Sequence, residues 1–240
     1  MRRSRLLPIV LFALVIAGCG NAQFTGSGSG SGSGGDGAPG ETSTQRHDVA
    51  VSRVEVDSDA GTLEVRAGAD GSATVERTLR WTGDREPVVT ETVQGTTLTL
   101  TVRCPGRGPD RCEAGLVVTV PAAAAVRARL QTGDVTVTGL SGDQDLSSQA
   151  GDVRGEKLGA AEVTAETSAG GVDLAFATAP RTVDARSSAG SVSVTVPGGP
   201  YAVTAESSVG GAEVTVPTDP GAPSRITARS SVGEVTVAPA

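Results

Sequence analysis

A short sequence phrase recurs six times between Val126 and Val237. Each copy has alternating small apolar residues, then a glycine, then alternating apolar residues that are mostly valine. The turn glycines are Gly133, Gly151, Gly170, Gly190, Gly210 and Gly233, spaced 18 to 23 residues apart. A regular period of about 20 residues is typical of stacked repeats, because one unit of this length cannot bury its own apolar face. The repeat therefore predicts a stack of short units that share one core.

Aligning the copies on their glycines separates small or apolar columns at odd offsets from polar columns at even offsets. Five residues before the glycine, the column reads Ala128, Leu146, Ala165, Ala185, Ala205 and Ala228. Two residues before it, the column reads Gln131, Gln149, Ser168, Ser188, Ser208 and Ser231. A period of two indicates β-strands with one buried face, and glycine suits a tight turn because it adopts positive φ readily. Each unit is thus predicted to be a strand, a glycine turn and a second strand.

The predicted fold is all-β: a single-domain β-solenoid, in which parallel β-helix-like rungs of about 20 residues stack on one another. Residues 122–240 form the regular repeats, and residues 48–121 form irregular N-terminal coils. One of these coils turns at Gly61, and a second turns at Gly95, between the apolar runs 88–93 and 98–102. They are expected to cap the stack, because terminal repeats are usually atypical.

A charged column four positions before the glycine bears on the stacking order. Its last four members are Glu166, Arg186, Glu206 and Arg229, which alternate in sign. If successive copies are neighbours, each contact brings opposite charges together. The open edge of the stack is then at the Val235 end, where edge-to-edge self-association with a second copy is expected.

The first 18 residues combine a basic start with a short apolar core, and the tetrapeptide Ile16-Ala17-Gly18-Cys19 follows. The apolar run is shorter than a membrane-spanning helix requires. The segment resembles a bacterial lipoprotein signal peptide with its lipobox at residues 16–19. The resemblance implies cleavage before Cys19 and lipidation of Cys19; the alternative is an ordinary secretory signal with an unrelated cysteine.

Residues 19–47 are predicted to be the lipidated cysteine followed by a flexible Gly/Ser linker. His47 is expected to be a solvated residue at the end of this linker. Two or more lipid chains hold a protein stably at a membrane without a transmembrane helix. The expected location is therefore extracytoplasmic, on the outer face of the cell membrane, with the membrane itself as a partner.

Two further cysteines, Cys104 and Cys112, flank a hydrophilic stretch. An exported protein meets an oxidising environment, which favours a disulfide between them. A metal or redox pair is the alternative, but no histidine or third cysteine accompanies them and their spacing is not C-x-x-C.

Charge and composition argue against several function classes. The chain has a formal net charge of −7, and cleavage before Cys19 would remove three arginines and no acid, which makes the remainder more acidic. Nucleic acid is an unsuitable partner for such a chain, because binding it needs a basic face. With one histidine in the sequence, a nucleophile–histidine arrangement within the repeats is excluded. No catalytic residue, metal or cofactor is predicted.

Two polar features admit a binding interpretation. Asp134 and Asp152 would be neighbours at the turns, where a pair of carboxylates could hold a cation or act as acid and base. The favoured interpretation is polar turn residues, because the other copies do not continue the pair. The column of serines before the glycines could line a surface for a glycan or a protein, or simply supply turn-forming hydroxyls.

The recurring S-x-G-x-V-x-V phrase on an exported chain resembles a bacterial β-strand-repeat family of adhesin-like domains of unknown function, over residues of about 50–237. The resemblance implies a non-enzymatic binding or scaffolding role in the cell envelope. The partners expected are a cell-wall glycan, an envelope protein or a cationic peptide. One alternative is an envelope-stress or signalling accessory that binds peptides or proteins. A β-helix enzyme acting on polysaccharides is a remote alternative, since aromatic residues are only 2% of the chain.

Overall fold

The computed structural model describes residues 40–69, 71–106 and 108–240. These residues form nineteen strands and no helix, so the predicted all-β class is confirmed. The strands are β1 (Gly40–His47), β2 (Arg53–Ser58), β3 (Leu63–Gly68), β4 (Ala73–Trp81), β5 (Val88–Gln94), β6 (Thr97–Arg103), β7 (Cys112–Pro121), β8 (Ala125–Thr132), β9 (Val135–Thr138), β10 (Gln144–Ala150), β11 (Val153–Leu158), β12 (Glu162–Ala169), β13 (Val172–Phe176), β14 (Thr182–Ala189), β15 (Val192–Val196), β16 (Ala202–Val209), β17 (Ala212–Val214), β18 (Arg225–Val232) and β19 (Val235–Pro239). The predicted signal peptide, the lipobox with Cys19, and the linker up to residue 39 lie outside the described residues. Within the described ranges, no helix could cross a membrane.

The strands form two large sheets. Sheet A has ten strands in the order β1-β4-β7-β3-β9-β11-β13-β15-β19-β17, and sheet B has nine in the order β16-β18-β14-β12-β10-β8-β2-β6-β5. Each repeat contributes its first strand to sheet B and its second strand to sheet A. We call such a two-strand unit a rung and name it by its turn glycine. Neighbouring rungs pair in parallel in both sheets.

The alternation in the sequence places one face of each regular strand in the core, except in the terminal rung, where β16 is mostly half-buried or exposed and β17 is exposed along its length. The fully buried side chains come from both sheets and form one continuous apolar cluster, built mainly from valine, leucine and alanine. Small side chains suffice because each rung is only two strands thick. Burial of this apolar surface, at about 25 cal/mol per Å², is the main stabilising contribution.

The stacking order at the C-terminal end differs from the predicted one. The Gly233 rung (β18 and β19) lies between the Gly190 rung (β14 and β15) and the Gly210 rung (β16 and β17). The open edge is therefore formed by β16 and β17, and the expectation of an edge at Val235 is wrong. The sequence does not reveal this insertion, because the three rungs are nearly interchangeable in pattern. The loop of residues 215–224, longer than its counterparts, lets the chain pass beyond the Gly210 rung and return.

A similar insertion occurs at the other end. The Gly61 rung (β2 and β3) lies between the Gly133 rung and a rung formed by β6 and β7. The segment expected to turn at Gly95 as a second coil is instead an antiparallel hairpin of β5 and β6 within sheet B. Gly95 has φ of +60° in the two-residue connection, which suits a tight hairpin turn. Strands β4 and β1 extend sheet A in antiparallel fashion beyond β7.

Residues 40–47, predicted to be linker, form β1 and pair along their whole length with β4. Their sequence is polar, with threonine and serine at its centre and charged or amide side chains on either side, which an edge strand tolerates. His47 is consequently not a solvated linker residue. Its side chain is 18% exposed and its Nε2 contacts Oε1 of Glu91, whose side chain is 9% exposed. This contact joins the edge strands of the two sheets.

Cys104 and Cys112 form a disulfide, with an S–S distance of 2.03 Å. It closes the connection between β6 and β7, where the regular rungs have a glycine turn. The guanidinium of Arg85 donates to the main-chain oxygens of Pro105, Gly108 and Asp110, at 3.2, 2.9 and 2.6 Å. Covalent closure and these hydrogen bonds together constrain the described residues of this loop.

Candidate binding surface

The turn glycines form a continuous column in which each packs on the next. All seven, including Gly61, have φ between +129° and +150°. A Cβ built on Gly133 would lie 1.5 Å from the oxygen of Gly61, and one on Gly170 would lie 2.2 Å from the oxygen of Gly151. Two separate constraints thus select glycine here: the left-handed conformation and the close approach of the adjacent turn.

A ladder of buried hydroxyls secures the same turns. The residue three before the glycine donates from its hydroxyl to the carbonyl oxygen of the glycine in the adjacent rung. The five donors are Ser148, Thr167, Ser187, Ser230 and Ser207, with distances of 2.7–2.8 Å. These bonds satisfy polar groups that the stack would otherwise bury unpaired. The sequence shows the column but not its hydrogen-bond acceptors, because serine or threonine at a buried position is equally consistent with a small side chain that fills the core.

Asp134 and Asp152 serve the turns in a related way. Oδ1 of Asp134 accepts a hydrogen bond from the main-chain N–H of Asp152, at 2.8 Å, and Oδ1 of Asp152 accepts one from Gly171, also at 2.8 Å. Asp152 also pairs with Arg154. Each carboxylate is therefore engaged by a main-chain donor of the next rung. Within the described ranges, no group of three or more metal-ligating side chains is found.

The outer face of sheet B is an extended polar surface. Three columns of side chains point outward from the strands, at two, four and six residues before the turn. The parallel register aligns them across rungs at roughly 4.8 Å per rung. The serine column predicted from the sequence, Ser168, Ser188, Ser231 and Ser208, is exposed on this face in that spatial order. Gln131 and Gln149 continue it toward the disulfide end.

Ion pairs on this face follow the observed stacking order. Arg229 Nε lies 2.9 Å from Glu206 Oε2 in the neighbouring rung. The expected alternation fails at the next contact, because Arg186 faces Arg229 in register. Arg186 is instead compensated within its own strand by Asp184, at 2.7 Å. Two of the three contacts expected from the sign pattern, Glu166 with Arg186 and Glu206 with Arg229, are neighbours in register, and only the contact of Arg186 with Glu206 is absent.

Toward the disulfide end, the face is hollowed into a groove of 380 Å³. Arg129 and Glu166 line it from rungs on either side of Ser147, and Gln131 and Gln149 line it from the neighbouring column. Ser147 is small and its hydroxyl donates to the main-chain oxygen of Ala128, so it leaves the space above it open. The sequence alone does not predict the groove, because the groove depends on the small size of one side chain within a charged column.

A second hollow, of 290 Å³, lies at the open end of the stack beside Tyr201 and Val214. The hydroxyl of Tyr201 donates to the oxygen of Pro197 at 2.7 Å, and its ring is 1% exposed. Burial raises the pKa of this phenol above its ordinary value. Val209 and Val232, two neighbouring residues at the turn edge, are more than half exposed.

Two-strand rungs, stacked in parallel between two sheets and braced by a glycine column, define a class of β-repeat domain. The sequence profile of the Toastrack DUF4097 family matches residues 113–237. This stretch is more than half of the chain, so the protein belongs to that family. The predicted resemblance to adhesin-like β-repeat domains of unknown function is thereby confirmed.

One of the solved structures to which the chain is similar supports the same fold. A candidate cell adhesion protein from Clostridium sporogenes superposes with a TM-score of 0.50 at 11% identity, over 84% of this chain and 100% of that one. A candidate adhesin from Bacteroides fragilis matches with a TM-score of 0.49 at 15% identity, over 83% of this chain and 97% of that one. No curated protein matches the sequence. At such identities the likeness is one of fold alone.

Proposed function

We propose that this protein is a non-enzymatic surface lipoprotein whose Toastrack domain binds or scaffolds other components of the cell envelope. The observation that carries the proposal is the outer face of sheet B. It presents polar side chains in straight columns, held at fixed spacing by the parallel ladder beneath them. A rigid polar surface of this kind suits recognition of an extended partner. The adhesion roles suggested for structures of similar fold agree with a location outside the cytoplasm.

The remaining parts of the chain fit the same role. We interpret the domain as a single β-solenoid, with residues 122–240 as its regular part and the disulfide loop near its other end. Lipidation of Cys19 would fix the chain to the outer face of the membrane, since two or more acyl chains give stable attachment. The Gly/Ser segment would then let the domain stand away from the lipid surface. Replacing Cys19 with alanine is expected to move the protein from the membrane fraction to the soluble fraction.

Co-sedimentation with purified insoluble cell wall tests the binding role. The full chain, solubilised in a nonionic detergent, is mixed with cell wall at low and at high salt. Retention at both salts would support a wall-binding module, because contacts made by hydroxyls and amides are weakly screened. The absence of retention at either salt would contradict wall binding and leave an envelope protein as the partner.

The acidic surface favours one second candidate, an envelope-stress or signalling accessory that binds cationic peptides. The chain has 27 acidic and 20 basic residues, and opposite charge accelerates and strengthens encounter. Binding of a cationic peptide should then weaken steeply as salt is raised, whereas a glycan should not respond in this way. A flat salt dependence would exclude this candidate.

A further inference from the structure

The groove at Ser147 contains two charged side chains that lack an ionic partner. Other charged residues of the face and of the groove are paired: Arg103 with Asp57, Arg127 with Asp145, and Arg229 with Glu206, with the closest N···O distances between 2.9 and 3.3 Å. Among the described residues, neither Arg129 nor Glu166 makes a salt bridge or a side-chain hydrogen bond. One cation and one anion are thus without a direct ion pair at the two walls of one hollow. The oppositely charged residues in register beside them, Asp57 and Arg186, are themselves paired with Arg103 and Asp184.

The register fixes the separation of these two charges. Arg129 is aligned with Ser147 in the next rung, and Ser147 with Glu166 in the rung beyond. At about 4.8 Å per rung, the two positions are roughly 10 Å apart. The intervening side chain is only a serine, so a ligand could lie between them without displacing protein atoms.

Amide groups line the groove beside the charges. The Nε2 of Gln131 donates to Oδ1 of Asp59 at 3.0 Å, which holds this side chain in place. Within the described residues, the Gln149 side chain has no hydrogen-bond partner, so both its donor and its acceptor are available. Asp57 also lines the groove, but Arg103 compensates its charge at 2.9 Å. The groove therefore combines a cation and an anion in one column with amide hydrogen-bonding groups in the column beside it.

We propose that this groove binds a short peptide with free termini, its carboxylate at Arg129 and its ammonium group at Glu166. An extended chain spans about 3.3–3.6 Å per residue, so three residues match the separation of the two charges. The amides of such a peptide would exchange hydrogen bonds with Gln149. The small floor at Ser147 favours small peptide side chains. This inference rests on the proposed role of sheet B as a binding face and names its ligand class.

Saturation-transfer NMR titration with trialanine tests the proposal, using the full chain in nonionic detergent. We expect trialanine to bind, and N-acetylation or C-terminal amidation to weaken binding about fivefold each, as loss of one exposed ion pair implies. Arg129→Gln should weaken trialanine about fivefold and leave the C-terminal amide unaffected. Glu166→Gln should weaken the binding of trialanine about fivefold and leave the binding of the N-acetylated peptide unaffected. Both side chains are exposed, so the thermal midpoint should not change.

Arg53→Gln and Glu156→Gln are matched controls, because each removes the same charge from an exposed position outside the groove. Equal affinity of capped and free peptides, no binding of trialanine, or equal effects of control and groove variants would overturn the proposal. If cell wall still retains the protein in that case, the groove assignment alone is wrong. If trialanine binds as expected but the wall does not retain the protein, the groove stands and wall binding fails.

Discussion

The turn glycines are the residues of this fold with the strictest conformational and steric requirements. Their positive φ could be anticipated from the sequence, because a glycine at a fixed place between two strands indicates a tight turn. The contact of each glycine with the carbonyl of the next turn could not be anticipated from the sequence, because it depends on the distance between rungs. The same limit applies to the ladder of buried hydroxyls, whose acceptors belong to neighbouring rungs.

Gly170→Ala should destabilise the domain by about 3 kcal/mol or more, since it adds backbone strain and a clash with main-chain atoms. Its Cβ would lie 2.2 Å from the oxygen of Gly151. Chemical denaturation would measure the loss. Gly211→Ala is the matched control, because a Cβ at this adjacent turn position meets nothing within 4 Å. Similar losses for the two variants would show that strand propensity, not the close approach, decides the cost.

The buried phenol of Tyr201 makes stability depend on alkaline pH. Its pKa is raised by burial, so the neutral phenol is favoured in the folded state. The stabilising contribution is fully present below the unfolded pKa of about 10 and is lost as pH rises through the higher folded value. Thermal midpoints measured between neutral pH and strongly alkaline pH should therefore fall more steeply for the wild type than for Tyr201→Phe. Parallel curves would contradict this role.

At the scale of the strand, alternation in the sequence predicted the elements well. It placed the turn of every regular rung and the buried face of every regular strand except β17, whose residues are exposed at the end of the stack. It failed where strands are not part of a regular rung. The hairpin of β5 and β6 uses the same valine–threonine alternation as a rung, so only its short connection distinguishes it. Strand β1 has no apolar alternation, and it forms because β4 offers an unpaired edge.

The hydroxyl ladder gives an element-scale prediction. Ser187→Ala removes the donor to the oxygen of Gly170, which is 2.8 Å away, and should cost about 1 kcal/mol. The neighbouring Ser188→Ala changes an exposed residue of the same strand and should cost less than about 0.5 kcal/mol. Urea denaturation of both variants provides the measurement. An equal effect of the two would argue that the ladder does not stabilise the turns.

At the scale of the whole molecule, the order of the rungs is the part that sequence could not supply. Six copies with nearly identical columns fit any order, and each order buries similar apolar surface. The loop of residues 215–224, which is longer than its counterparts, accommodates the observed order. The ion pair of Glu206 with Arg229 does not distinguish the orders, because these two residues are neighbours in the sequential order as well.

Engineered cysteines can test this order directly. In the observed stack, Ser188 and Ser231 lie in adjacent rungs, whereas Ser188 and Ser208 are separated by the rung between. The double variant Ser188→Cys with Ser231→Cys should form a disulfide on oxidation, since adjacent strands lie within bridging distance. Ser188→Cys with Ser208→Cys should not, because roughly 10 Å exceeds the reach of a disulfide. Mass spectrometry of peptides would distinguish the two, and the reverse result would restore the sequential order.

The inserted position of the Gly233 rung also constrains the order in which the domain can fold during synthesis, because the chain emerges amino terminus first. Strands β16 and β17 are synthesised before β18 and β19, yet their places lie beyond them. Until Pro239 has emerged, the Gly210 rung lacks its native neighbour, the Gly233 rung. The exposed edge of the Gly190 rung then offers it a non-native pairing. A polypeptide cut short before Arg225 is consequently not a smaller version of this stack. Completion of the fold therefore requires β18 and β19, so the Gly210 rung reaches its native place only after residues 225–239 have been synthesised.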